Sequence, residues 1–319
     1  MCIIVVALGC HPKFPFVCAH NRDERRDRPA SDDQRESSGL VCFRDKQAGG
    51  TVLALNAREG RFAALTNCRT SVKRGEGATS RGLLVEHLAA YGAEDAEAFL
   101  EEHLPRMDGF HVFFGDAFGR EPRLRYRWNA PEEEPGDGGP AGGAAPAFRS
   151  GGGDVPAGRV VVISNENPAV EAAAAWPKSE WLRAEFAGLL EALPAYSTAA
   201  ELHARAAALM TRFDVRGLTP PARLPTWFPS EREELQHTGP FAPWRPAFAE
   251  FGTVSQRVLV SDARAREVHY FHRSTNVGWE DVAGDAPRTL EGPWRCIRIP
   301  WGPPRRAPPA EPPAPAAAA

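Results

Sequence analysis

The first chemistry in this chain stands at its second residue. Cys2 follows Met1 and precedes an apolar run from Ile3 to Leu8. Cysteine is small enough for an initiator methionine to be removed, and the chain would then begin with a thiol and a free α-amine on one residue. An α-amine titrates at about 7.7 to 8.0 and a free thiol at about 8.5, so at neutral pH the amine can take the thiol proton directly or through one water. No distant histidine is then required. The alternative is that Cys2 is a small hydrophobe opening a buried strand, because free cysteine is among the most buried residue types. A second concentration of chemistry is Asn21-Arg22-Asp23-Glu24, which ends the next strand-like run. Four hydrogen-bonding residues at a strand end can orient a terminal amine and thiol. Continued by Arg25, Arg26, Asp27 and Arg28, the same residues also read as a solvated turn.

These residues need strands to position them. Ile3 to Leu8, Phe14 to His20, Thr51 to Asn56 and Phe62 to Asn67 are rich in β-branched and aromatic residues and are separated by Gly, Pro or charged turns. The first two predict a hairpin through Gly9 to Pro12, and the next two a hairpin through Ala57 to Arg61. From Ser80 the period changes: Leu83, Leu84, His87 and Leu88, then Phe99, Leu100 and Leu104, predict two helices broken near Gly92. Phe110 to Phe114, Leu124 to Trp128 and Arg159 to Ser164 return to strand pattern. Trp176 to Leu193 and Ala199 to Phe213 read as amphipathic helices, and Val254 to Ser261, Glu267 to His272 and Trp294 to Pro300 as closing strands. Residues 131–158 abandon periodicity for Pro, Gly, Ala and acidic residues and read as a flexible insertion. The Pro/Ala tail, 302–319, reads as disordered, which leaves 1–301 as one domain.

Composition narrows the function. With 43% hydrophobic and 25% charged residues the 319-residue chain has the make-up of a soluble globular protein, and its net charge of −3 gives no electrostatic case for nucleic acid or an anionic membrane. The six-residue run Ile3 to Leu8 lacks a basic leader and is shorter than the roughly 7 to 15 residues of a secretory core; no run approaches the roughly 20 apolar residues of a membrane span. The six cysteines contain no C-x-x-C pair, which favours reduced thiols in a cytosolic or matrix compartment. Nothing of metal-ligand spacing accompanies Cys10 and His11, so no metal and no resident cofactor is expected.

The tetrad, with the opening Met1-Cys2-Ile3-Ile4, resembles the transport and Golgi organization protein 2 family, also called the NRDE family. Further matches follow in order: Arg28-Pro29, Gly49-Gly50-Thr51, Arg61 to Asn67, Ser80-Arg81-Gly82, Gly109-Phe110, Gly115-Asp116, Ile163-Ser164-Asn165, Trp176-Pro177-Lys178 and Phe251-Gly252-Thr253. The family in turn resembles N-terminal-nucleophile hydrolases of the bile-salt hydrolase and penicillin V acylase branch. That resemblance implies an α+β fold, a four-layer αββα sandwich. It also implies Cys2 as nucleophile, Asp23 as the residue that holds its amine, and Asn67 and Asn165 as oxyanion and substrate-positioning residues. Asn21, Arg22, Glu24 and Arg257 are the accompanying substrate-binding candidates. The two asparagines also read as strand-terminal turn formers.

Two positions depart from the pattern. The hydrolases carry an arginine three residues before the aspartate, where this chain has His20, and the family usually follows Gly-Thr with arginine, where this chain has Val254. Arg257 is the nearest replacement. Family resemblance implies roles in Golgi organisation and protein secretion and in haem or acyl-coenzyme A and lipid homeostasis, from the cytoplasm or at Golgi or mitochondria. Two classes of function follow: a binding protein whose cleft holds a hydrophobic, carboxylate-bearing ligand such as haem or an acyl thioester, or a Cys2-dependent hydrolase of amide C–N bonds.

Overall fold

The computed structural model describes residues 2–25, 27–31, 34–35, 39–68, 78–132, 147–169, 176–213, 215–218, 238–242, 251–275 and 292–302. Met1 and the tail beyond residue 302 lie outside them. Two antiparallel sheets carry the fold. One has six strands: β1 (Ile3–Leu8), β2 (Phe16–Arg25), β10 (Arg159–Ile163), β11 (Phe251–Asp262), β12 (Glu267–Ser274) and β13 (Arg295–Pro300), in the order β10-β1-β2-β11-β12-β13. The other is a seven-stranded meander in sequence order, β3 (Gln34–Arg35), β4 (Leu40–Arg44), β5 (Thr51–Asn56), β6 (Arg61–Asn67), β7 (Phe110–Asp116), β8 (Arg123–Pro131) and β9 (Phe148–Asp154). Among the described residues there are four α-helices: α1 (Arg81–Ala90), α2 (Ala93–His103), α3 (Pro177–Glu191) and α4 (Ala199–Met210).

Side-chain alternation divides the core into three apolar layers. Ile4, Val6 and Leu8 of β1 meet Phe62 and Ala64 of β6 and Phe113 of β7 between the sheets, whereas Ile3, Val5 and Ala7 pack on Leu182 and Phe186 of α3 and Leu202 of α4. On the other sheet Ala54, Ala63 and Leu65 face outward onto Leu84 and Leu88 of α1 and Leu100 of α2. Every side chain of β1 is therefore buried, which is why its sequence is an unbroken apolar run rather than an alternation. Helix α1 has no side-chain cap and no acidic residue in its first turn, so packing rather than capping holds it. Its entry lies against β5 because Gly50 and Gly82 meet backbone to backbone; a Cβ on Gly82 would stand 2.6 Å from the Gly50 Cα.

Three sequence expectations are corrected. The tetrad does not follow β2 but lies inside it, because Asn21 pairs with Ile3 of β1, and Arg22, Asp23 and Glu24 pair with Ser255, Thr253 and Gly252 of β11. Residues 148–154, expected within a flexible insertion, form β9 against β8, and 133–146 lie outside the described residues. Helix α4 stops at Met210 instead of continuing to Phe213. The Met210 carbonyl accepts from the side chains of Asn21 and Gln256, and the Thr211 hydroxyl donates back to the Ala207 carbonyl. The α4 N-terminus is closed by a Thr198–Glu201 capping box.

Candidate functional site

The β2–β11 register sets which residues meet. Arg257 stands opposite His20, and Ser255 opposite Arg22, on the face that looks between the sheets; Asn21 and Gln256 are paired on the helix-facing side. Asn21 is fully engaged there. Its amide donates to the carbonyls of Met210 and Pro240 at 2.8 Å each and accepts from Gln256 at 2.9 Å.

Cys2 is half-buried beside the start of β1. Its thiol donates to the Asp23 carbonyl oxygen at 3.5 Å, and its own carbonyl accepts from the Ser164 hydroxyl at 2.8 Å, just beyond the end of β10. Burial raises the Cys2 thiol above its ordinary value and the Asp23 carboxylate adds to the rise, while the Arg22 guanidinium opposes it. A raised thiol needs a base to become a nucleophile. The Asp23 carboxylate is held by the Thr253 hydroxyl at 2.6 Å; that hydroxyl accepts from the Ala242 N–H at 2.9 Å, so its single proton goes to Asp23.

Asn165 and Asn67 meet, though not by their side chains. The Asn165 amide donates to the Thr66 hydroxyl at 2.8 Å and to the Asn67 carbonyl at 2.5 Å, while the Asn67 side chain stands exposed at the end of β6. A carbonyl partner fixes the amide with its nitrogen towards Asn67, since two acceptors cannot pair. The Asn165 Oδ1 is left buried without a partner. Behind it, Glu166 binds the Ser164 N–H and the Ser179 hydroxyl, and its carbonyl accepts from the Cys68 thiol and from His111 Nε2.

Arg22 and Glu24 belong to an ion network that spans the two sheets. The Arg22 guanidinium reaches Asp45, after β4, at 2.7 Å, and Arg28 contacts both Asp45 at 2.7 Å and Glu24 at 3.1 Å. Burial raises the Asp45 carboxyl, but the N–H groups of Ala48 and Gln47 and the guanidinium groups of Arg28 and Arg22 outweigh it and hold the group below the ordinary carboxylate value. Replacement of Asp45 by asparagine is expected to destabilise the fold by roughly 1–2 kcal/mol in urea titrations at pH 7, because it leaves buried Arg22 with only the more distant carboxylate of Glu24, at 3.7 Å. That contribution is present above about pH 4, the unfolded value, and disappears as pH falls through the folded one. A variant as stable as wild type would show that the network carries nothing.

Arg257 is the residue the elements position most unusually. It is 1% exposed, and its guanidinium lies 5.4 Å from the ring centre of Phe43, which reaches across from β4. Nη1 donates to His20 Nδ1 at 3.2 Å and the Tyr270 hydroxyl also contacts the guanidinium, but among the described residues no carboxylate pairs with it. Because a guanidinium only donates, His20 Nδ1 must be the acceptor and Nε2 carries the hydrogen, which is buried without a partner. His272 stacks on Phe43 at 4.0 Å, with its own Nε2 unpartnered, and the Ser255 hydroxyl is likewise unpartnered. Burial, then Arg257 and Arg22, push His20 well below its ordinary value; burial, then Arg257 and Arg295, push His272 down to about 3. Both imidazoles are neutral at pH 7. The charge beside the His20 imidazole thus comes from the neighbouring strand.

Thr253 and Ser164 lay inside the quoted Phe-Gly-Thr and Ile-Ser-Asn motifs without an assigned role. His272 carries no motif signal, but period-two counting along β12 puts it with Val268 and Tyr270 on one face. Among the described residues no group of three His, Cys, Asp or Glu side chains could hold a metal ion, and no helix is long and apolar enough to cross a membrane.

Fold and site together define an α+β protein with a cysteine at the start of an interior strand of its six-stranded sheet and, between its two sheets, a guanidinium that no carboxylate pairs with among the described residues. The chain belongs to the Transport and Golgi organisation 2 family, whose model matches residues 1–276. No curated protein matches it.

Proposed function

We propose that this protein binds an amphipathic anionic ligand between its two sheets, with haem and acyl thioesters as the candidate cargoes. In this reading the scaffold is the αββα sandwich of the N-terminal-nucleophile type, adapted to carrying. Its cellular role is the one implied by the family: Golgi organisation and protein secretion, and haem or acyl-coenzyme A and lipid homeostasis, from the cytoplasm, at Golgi or mitochondria. The observation that carries the reading is Arg257. A buried charge without a carboxylate beside it is costly, and among the described residues Arg257 has none; its guanidinium N–H groups and the Nε2–H of His20 are the donors that an anion would take up. Aromatic and aliphatic neighbours such as Phe43 and Tyr270 favour an apolar body beside that anion. Titration of the purified protein with ferric haem and with palmitoyl-coenzyme A tests it; saturable binding to neither would overturn it.

Hydrolysis of an amide through Cys2 is the second reading. It is favoured by the thiol lying against Asp23, whose carboxylate is oriented by Thr253. Each oxyanion donor contributes about 2.7 to 4 kcal/mol, but the Asn165 amide is already spent on Thr66 and Asn67. Cys2→Ala is expected to abolish any turnover of an acyl-amide panel while leaving ligand affinity and melting temperature unchanged. Retained turnover by the purified variant would end the catalytic reading.

A further inference from the structure

On the side of the six-stranded sheet away from the intersheet core lies a cavity of about 910 Å³, among Trp181 of α3, the residues after α4, Arg273 of β12 and Trp294. Its size falls within the roughly 300–1,000 Å³ of small-molecule sites. Three aromatic side chains, Trp181, Phe213 and Trp294, and three arginines, Arg212, Arg216 and Arg273, line it, and no carboxylate does so among the described residues. Three positive charges around one hollow are a sharp local excess in a chain whose net charge is −3.

Arg273 is 5% exposed and preorganised. Its Nε donates to the Gln256 side-chain oxygen at 2.8 Å, its Nη2 to the Thr211 hydroxyl at 2.9 Å, and its guanidinium lies 4.6 Å from the ring centre of Trp294. Holding it there costs a ligand little ordering entropy. Arg212 and Arg216 stand exposed beside it, able to close on an anion. The carbonyls that end α4 work against an anion, but Met210 already gives its own to Asn21 and Gln256. We infer that this cavity is a second binding site, for a single amphiphile whose phosphate, sulfonate or carboxylate head meets the three arginines and whose apolar body lies on the two indoles. The inference does not depend on the reading given to Arg257, which faces the other side of the sheet.

The test is calorimetric titration of the full chain with dodecyl phosphate below its micelle concentration. Dodecanol and inorganic phosphate serve as half-ligands. The titration is made on Arg257→Met, which removes the anion partner proposed between the sheets; expected is one-to-one binding, weakened at least tenfold when Arg212→Ala/Arg216→Ala is added, with each half-ligand at least tenfold weaker than dodecyl phosphate. Both residues changed to alanine are exposed, so equal melting temperatures check the fold. Failure of dodecyl phosphate to bind Arg257→Met, equal binding of dodecanol, or an affinity kept after the two alanine substitutions would each overturn the site. Binding to phosphatidate vesicles without binding to the monomeric amphiphile would overturn it as well.

Discussion

Arg257→Met is expected to fold, to gain about 1–3 kcal/mol of stability, and to lose at least tenfold in affinity for the intersheet ligand. Replacing buried charge by an apolar side chain of similar length is often neutral or stabilising by about 1–4 kcal/mol, because the charge no longer has to be desolvated. Here the gain is offset in part by the loss of the hydrogen bond to His20 Nδ1, worth about 1 kcal/mol. Stability and binding thus move in opposite directions. A structural arginine would behave differently: its removal would lower the urea midpoint and leave haem and palmitoyl-coenzyme A titrations unchanged.

Acid is expected to weaken the fold well before its carboxylates titrate. His20 and His272 are buried neutral. Below about pH 6.5 the unfolded chain takes up their protons and the folded chain does not, so the unfolded state binds more protons and stability falls with pH. Each such group costs about 1.4 kcal/mol per pH unit, so the pair removes on the order of 4 kcal/mol between pH 7 and pH 5. Urea midpoints across that range read the loss. Arg257 adds to both depressions after burial, so in Arg257→Met the loss should level off at a higher pH than in wild type. A stability profile that is flat from pH 7 to 5 would mean that both imidazoles are solvated.

Strands buried on two faces were legible in the sequence, since β1 is apolar throughout, β5 is apolar between Thr51 and Asn56, and both run over the residues their composition suggests. Strands whose composition argues against strand were not. In β9, glycine is needed because the Trp128 ring lies on Gly151, where a Cβ would stand 2.7 Å from it, and because Gly152 has φ +149. The same glycines in an isolated sequence read as a linker. The polar end of β2 was hidden for a related reason: its partners, β1 and β11, are far apart in sequence, and cross-strand pairing outweighs β-propensity there.

Part of the candidate site was legible and part was not. The resemblance puts Asp23 at the Cys2 amine, whereas the contact seen is between the Cys2 thiol and the Asp23 backbone carbonyl. The place of Arg257 was not legible, because the β11 register shifts between Thr253 and Ser255. Counting in twos from Thr253 puts residue 257 on the face of Thr253; the bulge at Val254 inserts one extra residue and turns Arg257 to the intersheet face instead. A single irregularity in one ladder moved the charge that the binding reading rests on.

The most direct measurement is of the Arg257 Nε–H itself, by ¹⁵N-resolved NMR of arginine side chains, with the resonance assigned by its absence in Arg257→Met. Titration with palmitoyl-coenzyme A should shift that resonance progressively and stop at one equivalent of intersheet ligand, as the N–H gains an anionic acceptor. Palmitoyl-coenzyme A that still binds Arg212→Ala/Arg216→Ala while the Arg257 resonance stays where it was would contradict the account.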